Sequence, residues 1–151
     1  MIDAAEVPAL AYFGDRLQRG APLARYTAVR LGGPADYLVT ARSRADLRAA
    51  VALARALAVP MLVLGGGANV LVSDAGFRGL AVINRAQNVH FDTTQGQPIV
   101  HAESGASLST LARRCIERGL SGLTWGVNVP GTVGGAVINN AGAHGGDMAA
   151  I

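Results

Sequence analysis

Met61-Leu62-Val63-Leu64-Gly65-Gly66-Gly67-Ala68-Asn69-Val70-Leu71 is the stretch on which the reading of the fold turns. Four apolar residues between Pro60 and three glycines are too few for a helix and read as a buried strand. Three successive glycines leave main-chain N–H groups unshielded and permit positive φ, so the turn that follows can wrap an anion such as a pyrophosphate. A tight strand-to-strand turn that needs permissive backbone accounts for the same glycines equally well.

Upstream, residues 35–40 (ADYLVT) read as a strand, and Ser43 is placed to cap a helix running to about Ala58. Leu47, Ala50, Val51, Ala54, Leu57 and Ala58 fall on one face of it, with Arg44, Arg48 and Arg55 opposite. The order is strand, helix, strand. Ala5, Leu10, Phe13 and Leu17 have helical spacing and suggest a short leading helix before the break at residues 20–22.

Downstream, short strands are expected at residues 70–72, 80–84, 89–92 and 98–103, with TTQGQ as a hairpin loop between the last two. Without intervening helices they read as antiparallel. Ser107 should cap a second helix that turns Leu108, Leu111, Ala112, Cys115 and Ile116 inward and stops at a left-handed Gly119. Cys115 then belongs to the core.

Composition narrows the chemistry. All thirteen basic residues are arginine, which excludes a P-loop lysine and a pyridoxal Schiff base. A formal charge of +3, with the arginines scattered, gives nucleic-acid binding little support. The single cysteine cannot form an intrachain disulfide, which suits a reducing cytoplasm. The N-terminal residues lack the apolar run of a signal peptide, and no run elsewhere approaches the roughly 20 residues that cross a bilayer. A length of 151 residues with half of them apolar suits one core of ordinary domain size.

Two familiar nucleotide fingerprints fail on the first glycine segment. A Rossmann turn needs G-x-G-x-x-G opening a helix, but Val70 stands at the third position and no helix is expected after it. A Walker A loop needs its lysine.

A second glycine-rich segment runs Val129-Pro130-Gly131-Thr132-Val133-Gly134-Gly135-Ala136-Val137-Ile138-Asn139-Asn140-Ala141-Gly142-Ala143-His144-Gly145-Gly146. Pro130 and Gly131 set a turn, while Gly134, Gly135 and Ala136 keep the surface flat enough for a planar ring or a phosphate to lie on main chain. Asn139 and Asn140 add amides that donate and accept. Close packing against a neighbouring helix explains the same residues.

Four segments taken together resemble a known family. They are YTAVRLGGPAD from Tyr26, LGGGANVLVSDAGFRGLAVIN from Leu64, SGASLSTLARRCIERGLSGL from Ser104, and VPGTVGGAVINNAGAHGG from Val129. Their order and spacing resemble the UDP-N-acetylenolpyruvoylglucosamine reductases from about Pro22 to the C-terminus. The resemblance implies an α+β fold of the vanillyl-alcohol-oxidase type, with two small lobes clamping FAD. It implies residues 1–21 as an N-terminal arm or helix and 22–151 as the FAD-binding domain, C-terminally incomplete.

By the same resemblance Gly65, Gly66, Gly67, Ala68, Asn69, Val70 and Leu71 would line the pyrophosphate and ribityl side. Gly105, Ser107, Pro130, Gly131, Thr132, Gly134, Gly135, Ala136, Asn140, Ala141 and Gly142 would form the opposite wall. The implied chemistry is hydride transfer from NADPH to noncovalent FAD and on to UDP-N-acetylglucosamine enolpyruvate, giving UDP-N-acetylmuramate for peptidoglycan in the cytoplasm. Catalytic residues and the substrate domain are expected beyond Ile151, in the missing C-terminal portion of the same enzyme, so Ser73, Glu103 and Ser104 take no catalytic role. Neither a histidine nor a cysteine in residues 65–71 offers a covalent flavin link, as related oxidases with the same fold often do. A flavin-binding module without turnover is the other alternative.

Departures from the family pattern stand at Asn128, Val129 and His144, where Gly, Ile and Tyr are usual. His144 reads as a packing or backbone position. His90 and His101 read as solvent-facing or cross-strand residues in preference to ligands, and three separated histidines give no metal site. Trp125 reads as a core anchor in preference to a ring stacker. Arg30 fits either a phosphate or a carboxylate such as Asp36.

Overall fold

The computed structural model describes residues 8–94 and 96–151, so the expected contribution of Ala5 lies outside the described residues. The chain divides into two compact units, one ending at Arg85 and the other spanning Ala86–Ile151.

The first unit is a four-stranded sheet in the order β1-β2-β4-β3, from β1 (Gln18–Pro22), β2 (Pro34–Ala41), β3 (Met61–Leu64) and β4 (Phe77–Asn84). Strand β1 is antiparallel to β2, whereas β4 runs parallel to both of its neighbours. The expectation of an antiparallel strand at residues 80–84 is therefore corrected. Leu80, Ala81, Val82 and Ile83 are all buried, the continuous apolar signature of a central parallel strand. The connection from β3 that masked it is a loop, where a helix is usual. Within that loop residues 70–72 form no strand; Val70 and Val72 pack as half-buried side chains under the sheet.

Side chains of β4 alternate between two cores, as the two-residue strand period requires. Leu80 and Val82 join Phe13, Val39, Ala41, Ala50, Leu53 and Ala54 on one face. Ala81 and Ile83 join Ala21, Leu23, Ala35, Leu38 and Leu64 on the other. The leading helix α1 (Pro8–Phe13) anchors the first core through Phe13, only 2% exposed.

Helix α2 (Arg44–Ala56) starts where its cap predicts, with the Asp46 N–H donating to Ser43 Oγ at 3.1 Å. Its buried stripe is Asp46, Ala50, Leu53 and Ala54. Leu53 was not among the residues expected to point inward, and Ala58, which was, is exposed beyond the helix end with φ +51°. The helix ends at Ala56, two residues before the expected end, which leaves Ala58 outside it.

The second unit begins with a hairpin of β5 (Val89–Asp92) and β6 (Ile99–Ala102), in the register His90↔His101 and Phe91↔Val100. Its loop includes residue 95, outside the described residues. Phe91 lies under the guanidiniums of Arg118 (4.3 Å) and Arg114 (5.2 Å), a cation–π contact. Helix α3 (Leu108–Ile116) is capped by Ser107, whose Oγ accepts from Thr110 N–H at 3.3 Å. Gly119 follows at φ +70°, where its N–H reaches Ile116 O and that of Leu120 reaches Cys115 O, a Schellman closure. Ile116, expected inward, is 47% exposed, because only Leu108, Leu111, Ala112 and Cys115 share the buried stripe. Burial raises the Cys115 thiol pKa against the opposing pull of Arg118 and Arg114, as suits an inert core residue.

A 3-10 turn (Thr124–Asn128), helix α4 (Val133–Ile138) and a small hairpin of β7 (Gly142–Ala143) and β8 (Gly146–Asp147) complete the unit. Trp125, 7% exposed, packs with Leu108 and Ala136 as the core anchor expected of it. His144 (φ +52°) and Gly145 (φ +81°) form the turn of that hairpin. His144 thus holds a backbone position. No helix among the described residues is long and apolar enough to cross a membrane.

One buried carboxylate ties the ends of α1 and α2 together. Asp46 Oδ1 accepts from Tyr12 Oη (2.8 Å) and Arg16 Nη1 (3.2 Å), and Oδ2 accepts from Arg42 N–H (2.7 Å). Burial alone would raise its pKa; the Arg42 N–H, the Tyr12 hydroxyl and the Arg16 charge outweigh burial and lower it. A native pKa below the unfolded one stabilises the fold fully above the unfolded value and is lost as the pH falls through the native value. Asp46→Asn is expected to lower stability at pH 7 by about 2 kcal/mol. The deficit should begin to shrink below about pH 4, where the carboxylate of the unfolded parent takes up its proton, and shrink further as the native one does at lower pH. Urea melts of both proteins at pH 7 and pH 3 check this; an undiminished deficit at pH 3 would rule out the charge as its source.

Candidate functional site

In the first unit the glycine turn leaves the carboxyl end of β3, beside the carboxyl ends of the parallel strands β2 and β4. Open parallel sheets bind ligands at this edge. Gly66, Ala68 and Asn69 are exposed, Gly65 and Val70 half-buried, and Leu71 is 82% exposed. Gly67 is buried with φ +64°, and its O accepts from Ala28 N–H at 2.9 Å. A Cβ at Gly67 would run into the carbonyl oxygen of Tyr26. The third glycine is therefore demanded by the fold itself, and the exposed residues of the turn are Gly66, Ala68 and Asn69.

Arg85, which the sequence pattern did not single out, closes over this turn: its Nη1 donates to Gly65 O at 2.9 Å. Arg30 lies in the adjacent segment at φ +58°. The carboxylate weighed as its partner, Asp36, pairs instead with Arg78 at 2.9 Å.

In the second unit the starts of α3 and α4 are stitched together. Ser107 and Thr132 form an antiparallel bridge, with Leu108 N–H donating to Gly131 O (3.1 Å), Val133 N–H to Ala106 O (2.9 Å) and Gly134 N–H to Ser104 O (2.8 Å). Thr132 Oγ1 caps α4 by accepting from Gly135 N–H at 3.4 Å. The hydroxyls of Ser107 and Thr132 thus serve the helix starts. Gly131 turns at φ +115° behind the exposed Pro130, and Gly105 is buried with its N–H on Ala86 O (2.8 Å).

Gly134 and Gly135 differ sharply. A Cβ on Gly134 would lie 2.9 Å from Ser104 Cβ, so packing forbids one. A Cβ on Gly135 would meet only Thr132 Oγ1, at an ordinary 3.5 Å, and the residue is exposed. Glycine inside a helix costs about 1 kcal/mol relative to alanine. Nothing among the described residues requires it there.

Ala136 points into the core with Leu108 and Trp125, and half-buried Ala141 packs against the same cluster. Asn140 (φ +43°) is exposed, and its Oδ1 accepts from Ala149 N–H at 2.9 Å. Asn139 Nδ2 donates to Gly135 O at 2.8 Å. Gly142 pairs with Asp147 in the terminal hairpin. The amides of Asn139 and Asn140, read from sequence as groups that both donate and accept, are each engaged with local main chain. His90 and His101 face each other with ring centroids 6.3 Å apart. Among the described residues no group of three metal-ligating side chains comes together.

Comparison with known proteins places this geometry. Residues 35–150 match the family described as FAD binding domain. The UDP-N-acetylenolpyruvoylglucosamine reductase of Rubrobacter xylanophilus is 48% identical over 130 residues, 86% of this chain and 43% of that protein. The UDP-N-acetylenolpyruvoylglucosamine reductase 2 of Symbiobacterium thermophilum is 44% identical over 136 residues, 90% of this chain and 44% of that one. The chain spans less than half the length of these curated relatives.

Among solved structures, the UDP-N-acetylenolpyruvylglucosamine reductase of Thermus caldophilus superposes with a TM-score of 0.68 at 32% identity, over 89% of this chain and 46% of that one. An alkyldihydroxyacetonephosphate synthase superposes with a TM-score of 0.62 at 21% identity, over 95% of this chain and 30% of its own, and shares the fold alone. The α+β architecture is that of the vanillyl-alcohol-oxidase type. With both glycine-rich segments inside the matched residues, the chain belongs to the FAD-binding-domain family.

Proposed function

We propose that this chain holds FAD noncovalently for the NADPH-dependent reduction of UDP-N-acetylglucosamine enolpyruvate to UDP-N-acetylmuramate, a cytoplasmic step of peptidoglycan synthesis. The relatives named for that reductase activity, at 44% and 48% identity, support the choice of reaction. The observation that carries the cofactor assignment is Gly135: an exposed helical glycine whose Cβ position meets nothing tighter than Thr132 Oγ1 at an ordinary 3.5 Å, next to a Gly134 that packing does explain.

The residues present fit the cofactor. The exposed residues Gly66, Ala68 and Asn69 offer a surface to the pyrophosphate and ribityl chain, flanked by Gly65, Gly67, Val70 and Leu71. In the second unit Pro130, Gly131, Gly134 and Gly135 present main chain to the cofactor, and Asn140 and Gly142 are exposed nearby in sequence. Gly105, Ser107, Thr132, Ala136 and Ala141 support that surface from beneath by capping and packing. When bound, FAD supplies the hydride chemistry; the chain's own part is to bind and orient it.

Gly66→Val should weaken FAD binding by more than it weakens folding, because a β-branched side chain fills the space assigned to pyrophosphate. FAD titrations beside urea melts compare the two losses, and equal affinities in two folded proteins would remove this turn from the site. Gly135→Ala should stabilise the chain by about 1 kcal/mol while raising the FAD dissociation constant. A variant that gains stability and keeps its affinity would place the cofactor elsewhere. Acid precipitation of the FAD-loaded protein should release all the flavin to the supernatant; colour kept in the washed pellet would disprove noncovalent binding.

A further inference from the structure

We propose that Arg85 is a phosphate-binding residue, gripping the pyrophosphate of the dinucleotide at the glycine turn; this rests on residues 65–71 being the cofactor turn. Three features lead to it. Its backbone is fixed at the carboxyl edge of the sheet, immediately after β4, where Arg85 N–H donates to Ala41 O at 2.7 Å. Its side chain reaches from there to the end of β3, where Nη1 meets Gly65 O at 2.9 Å. The guanidinium is thereby held against the start of a turn whose next residue, Gly66, is exposed, and Arg85 itself is exposed.

The third feature is charge. The ion pairs among the described residues are Arg16–Asp46 and Arg78–Asp36, and no carboxylate there neutralises Arg85. A guanidinium is a rigid planar fork that matches phosphate oxygens bidentately, and its bond to Gly65 O, made through Nη1, leaves other donors of the fork for that purpose. The carbonyl anchor orients the fork beforehand, which lowers the entropy lost on binding. The selectivity that follows is chemical. A dinucleotide with its pyrophosphate gains from Arg85, whereas a flavin lacking phosphate does not.

A purely structural staple on Gly65 O is the competing role, and it would affect every flavin alike. The test measures dissociation constants of FAD and of riboflavin for the parent chain, Arg85→Gln and Arg85→Lys, at low and high salt. Arg85→Gln keeps a polar N–H donor on a shorter stem but loses the charge and the fork, whereas Arg85→Lys keeps the charge. FAD affinity is expected to fall about tenfold in Arg85→Gln and less in Arg85→Lys, with riboflavin affinity kept. The salt dependence of FAD binding should be shallower in Arg85→Gln than in the parent.

Unchanged FAD affinity and salt slope in Arg85→Gln would overturn the proposal, as would an equal loss for both flavins. Should riboflavin bind too weakly to compare, the salt slope alone decides. Gly66→Val, run alongside, separates the two ideas. If it weakens FAD binding while Arg85→Gln does not, only the role of Arg85 falls. If Gly66→Val leaves FAD binding intact, or the parent binds no FAD, the cofactor turn itself falls.

Discussion

Strand β4 is bonded along both edges and buried on both faces, and the first unit is arranged around that constraint. A strand inserted between β2 and β3, parallel to each, must be entered from the opposite end of the sheet. The chain therefore returns from β3 through a long loop, which leaves the carboxyl edge first as the glycine turn. Turn and sheet are one design: the parallel order brings Ala41, Leu64 and Arg85 to the same edge, and the turn crosses it.

Glycine performs two separate tasks along this chain. At Gly67 and Gly134 the nearest atoms belong to the protein, and side chains are excluded so that its own backbone segments can meet. At Gly135 the described residues supply no such neighbour, and the missing methyl group lowers helix propensity without improving packing among them. A glycine of the first kind answers to stability and one of the second to a ligand. Composition alone cannot sort them, because both appear as the same letter in the same run.

Much of the architecture was legible in the chain. Ser43 and Ser107 marked helix starts because a hydroxyl one residue before an apolar-periodic run satisfies an otherwise unpaired N–H, and both do so. The hairpin of β5 and β6 showed as short apolar runs on either side of a polar loop. What escaped depended on tertiary context. Residues 80–84 carry a parallel-strand pattern, yet the missing crossover helix argued against it. Leu53 and Ile116 sit near the edges of their apolar stripes, where a fraction of a turn decides between core and solvent. The site was readable as two glycine-rich segments, but the inward turn of Ala136, the local bonds of Asn139 and Asn140, and the reach of Arg85 to Gly65 arise from contacts that spacing does not encode.

The aromatic residues fall on either side of the boundary at Arg85 in a way that matters for spectroscopy. Tyr12, Tyr26 and Tyr37 all belong to the first unit, while the only tryptophan of the sequence, Trp125, is sealed in the core of the second against Gly146 and Leu108. Long-wavelength excitation selects indole, so its emission follows the second unit and is blind to the first. Phenol absorbance follows the first. The two halves of the chain carry separate native optical labels, and whether they melt together or one after the other can be watched without attaching a dye.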